Sequence, residues 1–326
     1  MAIAGRYDSL TAAQAEFYQA ILLKEFLSKN KLIHFARKIE LPLNSGATTS
    51  VRRYTLDDIS TTPIAEGASP NATPIGVVKV SMTAKKYGGW SDFTEEFNDF
   101  ALDKKIPIYV RKYGQQTARA VEKVGFATMI AGTNVVYGGG RTATNQITAS
   151  DKFSYALASK IATWFRDNDM EPVPLPAALV GEGMEGAEAF ICFVTPKVGS
   201  QIRATTEWRQ QHQFHKPELI AKGIIGMIDG VFFIETTNVP VTTDGSASQK
   251  VAKCVAIAEE AFAMLDVMGG AGGEEGAKAD IIVKDPSLAG GPLNEKSTIG
   301  AKIFTDFART NEKAVLRIEV AEVDAA

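Results

Sequence analysis

The chain has 326 residues, 45% hydrophobic and 22% charged, close to globular averages, which excludes disordered, collagen-like and membrane-embedded architectures. With 35 Lys and Arg against 38 Asp and Glu the net charge is -3, so no global basic field draws the protein to nucleic acid or lipid. Two cysteines, Cys192 and Cys254, are too few for a disulfide framework and lack zinc-ligand spacing.

Both cysteines sit in apolar stretches, AFICFV and KCVAIA, the setting of buried reduced thiols. The longest apolar run, Ala189 to Val194, is strand-sized and far short of the ~18 residues of a membrane span. The opening MAIAGRYDSL carries Arg6 and Asp8 before any apolar core, unlike a secretory signal, and a reducing cytoplasm is the expected setting.

From about Leu10 to Ile39 the composition favours helix, with apolar i,i+4 pairs Phe17 and Ile21, Leu22 and Phe26, Leu23 and Leu27. The apolar face wanders around the circumference. Two readings stand: an N-terminal arm lying across a neighbour, or ordinary packing on its own domain.

Asn44-Ser45-Gly46 marks a turn, and strand-like runs follow at Thr48 to Leu56 and Gly76 to Tyr87. In the second, Val78, Val80, Met82 and Ala84 alternate with Lys79, Ser81, Thr83 and Lys85, giving one apolar and one wet face. Between them lies DDISTTPIAEGASPNATPI, with three prolines and too little apolar content to bury itself. The pair reads as a long two-stranded arm with a polar tip, marginal in water unless something else, such as another subunit, packs on it.

Gly88-Gly89 is expected to end the arm. Ser91-Asp92-Phe93-Thr94-Glu95 then has the pattern of a helix start, with Asp92 as N-cap and Glu95 as capping-box partner. Asp92, Glu95, Glu96 and Asp99 suit a helix N-terminus better than acid-base catalysis. Next, Ile106, Val110, Tyr113, Thr117, Ala120, Val124, Thr128 and Ala131 step by threes and fours, predicting a spine helix of about 40 Å.

A second helix is expected over Lys152 to Phe165, then an extended path through Pro172, Pro174 and Pro176. Short units follow: a strand from Phe190 to Val194, a helix from Thr195-Pro196 to about Trp208, and strands over Gly230 to Glu235 and Lys253 to Ala258. A glycine-rich loop from Met268 to Gly276 precedes strands at Ile281 to Val283 and around Leu316, Ile318 and Val320. The mixture predicts an α+β fold, with no repeat of fixed period.

Motifs for chemistry fail in context. Gly181, Gly183 and Gly186 spell a dinucleotide fingerprint, but they follow a proline-rich run, and Glu182, Glu185 and Glu188 would repel a pyrophosphate. Asp167, Asn168, Asp169 and Glu171 open like a calcium loop, yet Pro172 and Ala178 stand where glycine and a bidentate glutamate are required. His212 and His215 are three apart without the glutamate of a zinc-protease helix or a third ligand, and His34 stands alone. No nucleophile elbow is present and neither cysteine has a nearby histidine, so no catalytic, cofactor-binding or metal residue is assigned. Arg52-Arg53, Lys85-Lys86, Lys104-Lys105 and Arg111-Lys112 are solvated or paired faces, or else a local, sequence-independent contact with nucleic acid.

The order of these parts, an N-terminal helix, a two-stranded arm with a Glu66-Gly67-Ala68-Ser69-Pro70 tip and a long spine helix, resembles the major capsid proteins of tailed bacteriophages, the Hong Kong phage type of coat fold. More narrowly it is similar to the branch typified by the coliphage N-four coat protein. The stretches that carry the resemblance are IAEGASP, KKYGGWSDFTEEF and the helix after it, FVTPKVGSQIRATTEW, DGVFFIETTNVP and GAKIFTDFARTNEKAVLRIEV, which in order cover most of the chain.

The resemblance implies an N-terminal arm (1–45), an extended loop lying over a neighbour (46–90), a peripheral domain (91–144 and 281–326) and an axial domain (145–280). It implies a homo-oligomer of hexamers and pentamers in a virion shell, assembled in the host cytoplasm, with non-specific contact to packaged double-stranded DNA and no membrane. Scaffolding, portal and decoration proteins are potential further partners. No long charged N-terminal scaffolding segment is present, and no Lys-Asn cross-link is assignable. Interface candidates are Phe17, Ile21 and Phe26 in the first helix and Arg52, Arg53, Tyr54, Glu66, Gly67, Lys79, Lys85 and Lys86 in the arm. The competing expectations are an encapsulin-like nanocompartment shell, and a soluble enzyme or binding module with a β-arm lid.

Overall fold

The three-and-four spacing becomes the longest helix among the described residues, Lys105–Ile130. The computed structural model describes residues 12–42, 44, 46–56, 63–64, 66–67, 69, 75–94, 105–175, 187–212, 224–267, 279–284 and 296–324. The first helix, α1, runs only from Ala12 to Lys29, and the spine is α2. Asn30 ends α1: its Oδ1 accepts the backbone N–H groups of Leu32 and Ile33 at 3.1 and 3.2 Å. That local bond diverts the backbone from the helical ladder. A 3-10 turn, Ile33–Phe35, and strand β1, Arg37–Leu41, occupy the stretch that propensity alone extends as helix to Ile39.

Strands β2 (Thr48–Leu56) and β3 (Ile75–Thr83) form a separate two-stranded ribbon, Thr48 opposite Thr83 and Leu56 opposite Ile75. The single strand expected from Gly76 to Tyr87 breaks at Ala84, whose N–H turns to Ala47 O at 2.8 Å. Beyond it β4, Lys85–Thr94, enters another sheet and pairs over its whole length with β14, Lys296–Thr305. Gly88-Gly89 therefore lies inside a strand, and Asp92 is a strand residue rather than an N-cap. A Cβ on Gly88 would stand 2.6 Å from Ala301 O, so this glycine serves close strand approach, not a turn. Glu95, Glu96 and Asp99 fall outside the described residues.

With β13 (Ala279–Lys284) this sheet has the order β13-β14-β4. Alternation divides its faces. Ile299, Ala301, Ile303 and Phe93 are buried, Phe93 stacks on Tyr109 of α2 with centroids 6.0 Å apart, and Tyr113 of α2 donates to Ser91 Oγ.

The main core surrounds a mixed sheet of order β5-β16-β11-β7-β9-β8, with β10 beside β11 and β6 beside β7. Its strands are β5 (Val135–Tyr137), β6 (Val173–Pro174), β7 (Glu188–Val194), β8 (Ile224–Ile228), β9 (Val231–Glu235), β10 (Val241–Thr242), β11 (Val251–Ile257) and β16 (Val315–Ala321). AFICFV reads as an unbroken apolar run because both faces of β7 are covered. Phe190 stacks on Phe165 of α3 (Tyr155–Asp167) on one face, and Phe193 meets Phe126 of α2 edge-on on the other. Cys192 and Cys254 are fully buried, free thiols within this sheet. Strand β16 and the short β5 pair here, so the last strand, expected with the peripheral parts, is built into the sheet of the central ones.

The helix expected from Thr195 to Trp208 is broken at Thr205 into α4 (Pro196–Ala204) and α5 (Thr206–His212). Thr195 caps α4, its Oγ1 accepting Val198 N–H at 3.4 Å, and Pro196 follows. A third sheet, β1-β12-β15, contains β12 (Phe262–Val267) and β15 (Phe307–Arg309). A buried polar joint ties α2 to both flanks: Glu122 accepts from Lys31 N–H at 3.3 Å, from Thr236 Oγ1 at 3.4 Å and from Asn238 Nδ2. Burial raises the Glu122 pKa against the pull of those hydrogen bonds and of Lys31. The glycine stretches 181–186 and 268–276, and His215, lie outside the described residues.

Candidate assembly surface

The ribbon's root is fastened to its own subunit. Leu41 of β1, Val51 of β2, Met82 of β3 and Ala263 and Leu265 of β12 make a small separate core. Asp306, between β14 and β15, straddles the break at Ala84: its Oδ2 accepts Thr83 N–H at 3.0 Å and its Oδ1 pairs with Lys85 Nζ at 3.1 Å. The hydrogen bond to Asp306 holds the Lys85 pKa above its ordinary value.

Outward along β3 the cover runs out. The apolar side expected from the alternation is present, but Met82 is buried, Val80 half-buried and Val78 exposed. On the opposite side, cross-strand partners Tyr54 and Val77 are 65% and 53% exposed, and Ile75 beyond them 63%. Nearer the root Arg52 faces Lys79 directly. Like charges directly opposite on a ribbon are destabilising, so this pair favours an acidic partner from elsewhere. At the tip Glu66 and Gly67 form an exposed turn, with Gly67 at φ 80°, a left-handed conformation that glycine adopts freely.

The first helix behaves differently. Leu22 and Phe26 are buried and α1 lies on α2, where Gly114 admits the Leu22 carbonyl: a Cβ there would come within 2.9 Å of it. Gln115 Nε2 donates to Glu25 Oε2 at 2.9 Å, and Arg111 pairs with the same carboxylate at 3.5 Å. Packing on its own subunit thus takes up the second half of α1. Phe26 is corrected from an interface candidate to a core residue, Ile21 is half-buried against that core, and Phe17, 61% exposed, still faces outward. Of the arm candidates, Arg52, Tyr54, Glu66, Lys79 and Lys86 are exposed, Arg53 is half-buried and Lys85 is bound to its own Asp306.

Two features escaped sequence reasoning, and a third, of which only the Arg111-Lys112 pair was read, escaped in part. Asp306 acts through a contact more than two hundred residues distant in the chain. Trp90 is 69% exposed on the outer face of β4; the period-two pattern Lys86, Gly88, Trp90 was its signal, hidden by the cap-like Asp92. On α2, Lys112, Arg119 and Lys123 lie exposed with Arg111, a basic stripe legible from helical spacing, while the helix's one acid, Glu122, points inward. Among the described residues no group of three or more His, Cys, Asp or Glu is placed to hold a metal ion, and no helix is long and apolar enough to cross a membrane.

The model of the family described as phage capsid protein matches residues 90–289, more than half of the chain. The chain belongs to the phage capsid protein family. Among curated proteins none matches this capsid protein. Among solved structures it is similar to the capsid of Ralstonia phage GP4, at 13% identity over 91% of this chain and 92% of that one, with a TM-score of 0.68. It is also similar to the acidic stable capsid structure of Helicobacter pylori bacteriophage KHP30, at 12% identity over 91% and 90%, TM-score 0.63. The virus-like particle from Pyrococcus furiosus matches at 11% identity over 93% and 98%, TM-score 0.52. At such identities the likeness establishes the fold, the α+β arrangement of a phage capsid subunit, while family membership makes this capsid protein a shell component with a structural role.

Proposed function

We propose that this capsid protein is the major coat protein of a tailed phage, self-assembling as hexamers and pentamers into an icosahedral head around double-stranded DNA, without catalytic activity or cofactor. The observation that carries the proposal is the ribbon: nine-residue strands, about 30 Å long, whose root is clamped while the apolar face loses cover toward the tip and the opposite face, with Tyr54, Val77 and Ile75, is exposed along its length. A two-stranded ribbon of that length gains stability when a neighbour covers it. The order of α1, ribbon and α2 supports the Hong Kong phage type of coat fold and the branch typified by the coliphage N-four coat protein. On that reading residues 1–45 are the N-terminal arm and 46–90 the extended loop. Residues 91–144 with 281–326 form the peripheral region and 145–280 the axial one, β5 and β16 tying the two together. Phe17, Arg52, Tyr54, Glu66, Gly67, Lys79 and Lys86 belong to the contacts between copies. The mature location is the virion, after assembly in the host cytoplasm, with scaffolding, portal and decoration proteins as further partners.

Negative-stain microscopy of the purified protein tests this: shells or capsomers are expected, and a monodisperse monomer at assembly concentrations overturns it. Replacing Glu66 and its tip neighbours with Gly-Ser should leave a folded subunit that no longer forms shells. Particles containing DNA separate a phage head from an enzyme-filled nanocompartment.

A further inference from the structure

The exposed side of α2 carries cations and no acid. Lys112, Arg119 and Lys123 recur at helical spacing, so they share one face and extend over about 16 Å of the axis. The buried positions Val110, Thr117 and Val121 lie on the opposite side of the helix, which turns the row away from its own subunit. Arg119 and Lys123 stand four apart, and like charges at that spacing disfavour a helix. No glutamate is interleaved to offset them; the exposed positions between are Gln116 and Ala120. Among the described residues Lys112, Arg119 and Lys123 have no ion-pair partner, because the acids beside the helix are committed elsewhere. Glu25 of α1 pairs with Arg111 at 3.5 Å, Glu312, near Gly132 at the helix end, pairs with Arg309 at 2.7 Å, and Glu122 is buried.

We propose that this row is a contact surface for the phosphate backbone of the double-stranded DNA inside the shell. The inference rests on the shell reading above and names the part of the subunit that meets the contents. A duplex presents a phosphate about every 3.4 Å of axis on each strand, so an extended row of cations finds partners along its whole length. A small anion would instead need donors converging on one point, and these diverge along a convex helix. From Lys112 to Ala127 the face exposes no large apolar side chain, the element that the centre of a protein interface requires. Lysine and arginine on phosphates carry no sequence information, so the contact is indifferent to base order. With a net charge of -3 over the whole chain, the attraction is local to such a row.

Full-length protein carrying Lys112→Gln, Arg119→Gln and Lys123→Gln tests the assignment. Fluorescence anisotropy with a labelled duplex of about 30 base pairs, between about 50 and 200 mM salt, gives the slope of log affinity against log salt concentration. Losing three phosphate contacts should flatten that slope by about 2–3 and weaken binding at least about tenfold. Arg119→Lys keeps the charge and should keep the slope. Lys160→Gln, Lys250→Gln and Lys313→Gln together make the same change in net charge at other exposed sites and should leave the slope alone. The single variants Lys112→Gln and Lys123→Gln, each lowering the slope by about 0.9, cover the case in which the triple variant does not fold. In formaldehyde-treated heads filled with DNA, peptides containing Lys112 or Lys123 should be recovered attached to DNA. An unchanged slope in the triple variant, an equal loss in the control triple, or a parent that binds no duplex overturns the assignment. Shell formation lost while the slope stays intact also overturns it, the row then serving an acidic protein surface. Normal shells alongside any of these failures leave the shell reading standing, whereas a parent that never forms shells removes that reading whatever the slope.

Discussion

Removing the Asp306 carboxylate should loosen the arm where it leaves the body. Asp306 is 8% exposed and accepts the Thr83 N–H at 3.0 Å, a partly buried hydrogen bond to a charged group, which contributes about 1.5–3 kcal/mol. Its ion pair with Lys85 adds less, at most about 1 kcal/mol, because the lysine side chain is 60% exposed and screened by solvent. Asp306→Ala should therefore destabilise the subunit by about 2–4 kcal/mol, and Asp306→Asn, which keeps an acceptor, by roughly half of that. The ion-pair share has a defined pH dependence. Hydrogen bonding to Asp306 raises the folded pKa of Lys85 above its ordinary 10.5, so that share is fully present below pH 10.5 and fades as pH rises through the folded value. Urea unfolding of unassembled subunits at neutral pH measures the loss as a shift in midpoint at constant slope, and hydrogen exchange at Thr83 locates it. An Asp306→Ala subunit within about 0.5 kcal/mol of the parent, with Thr83 still protected, would refute the clamp.

Gly114→Ala sets two magnitudes against each other: helix propensity gains about 1 kcal/mol, while a Cβ 2.9 Å from the Leu22 carbonyl costs about 1–3 kcal/mol. Net destabilisation in thermal unfolding is expected, and a stabilised variant would mean that α1 does not dock there. Glu122→Gln should flatten stability against pH. Burial raises the folded pKa of Glu122, so its contribution is full below the unfolded value of 4.5 and declines as pH rises through the folded one; an unchanged profile contradicts the buried joint. Cys192 and Cys254 should resist a thiol reagent until the protein unfolds, because burial pushes the Cys254 pKa to about 12 and that of Cys192 well up; rapid labelling of native subunits would count against the packed sheet.

Local pattern determined the elements whose partners are their own neighbours in the chain. The spine helix was legible to within a residue or so because its spacing persists over seven turns, and the pairing of the two ribbon strands because alternation and a polar connection define a hairpin, although the alternation carried the second strand past the break at Ala84 to Tyr87. The covered strand AFICFV was legible from its unbroken apolar run, as were the buried cysteines within it and in β11. Tertiary structure alone decided the rest. Residues Lys85–Thr94 carry a helix-start pattern, yet ten successive pairings with a strand two hundred residues later outweigh one N-cap worth about 1 kcal/mol. Helical pairing in α1 did not reveal which side was spoken for, because that depended on Gly114 of another helix allowing close approach. The same holds for the arm: its alternating faces are written in the residues, but where cover stops, between Met82 and Val78, depends on how far Leu41, Ala263 and Leu265 reach along it, and those belong to distant strands.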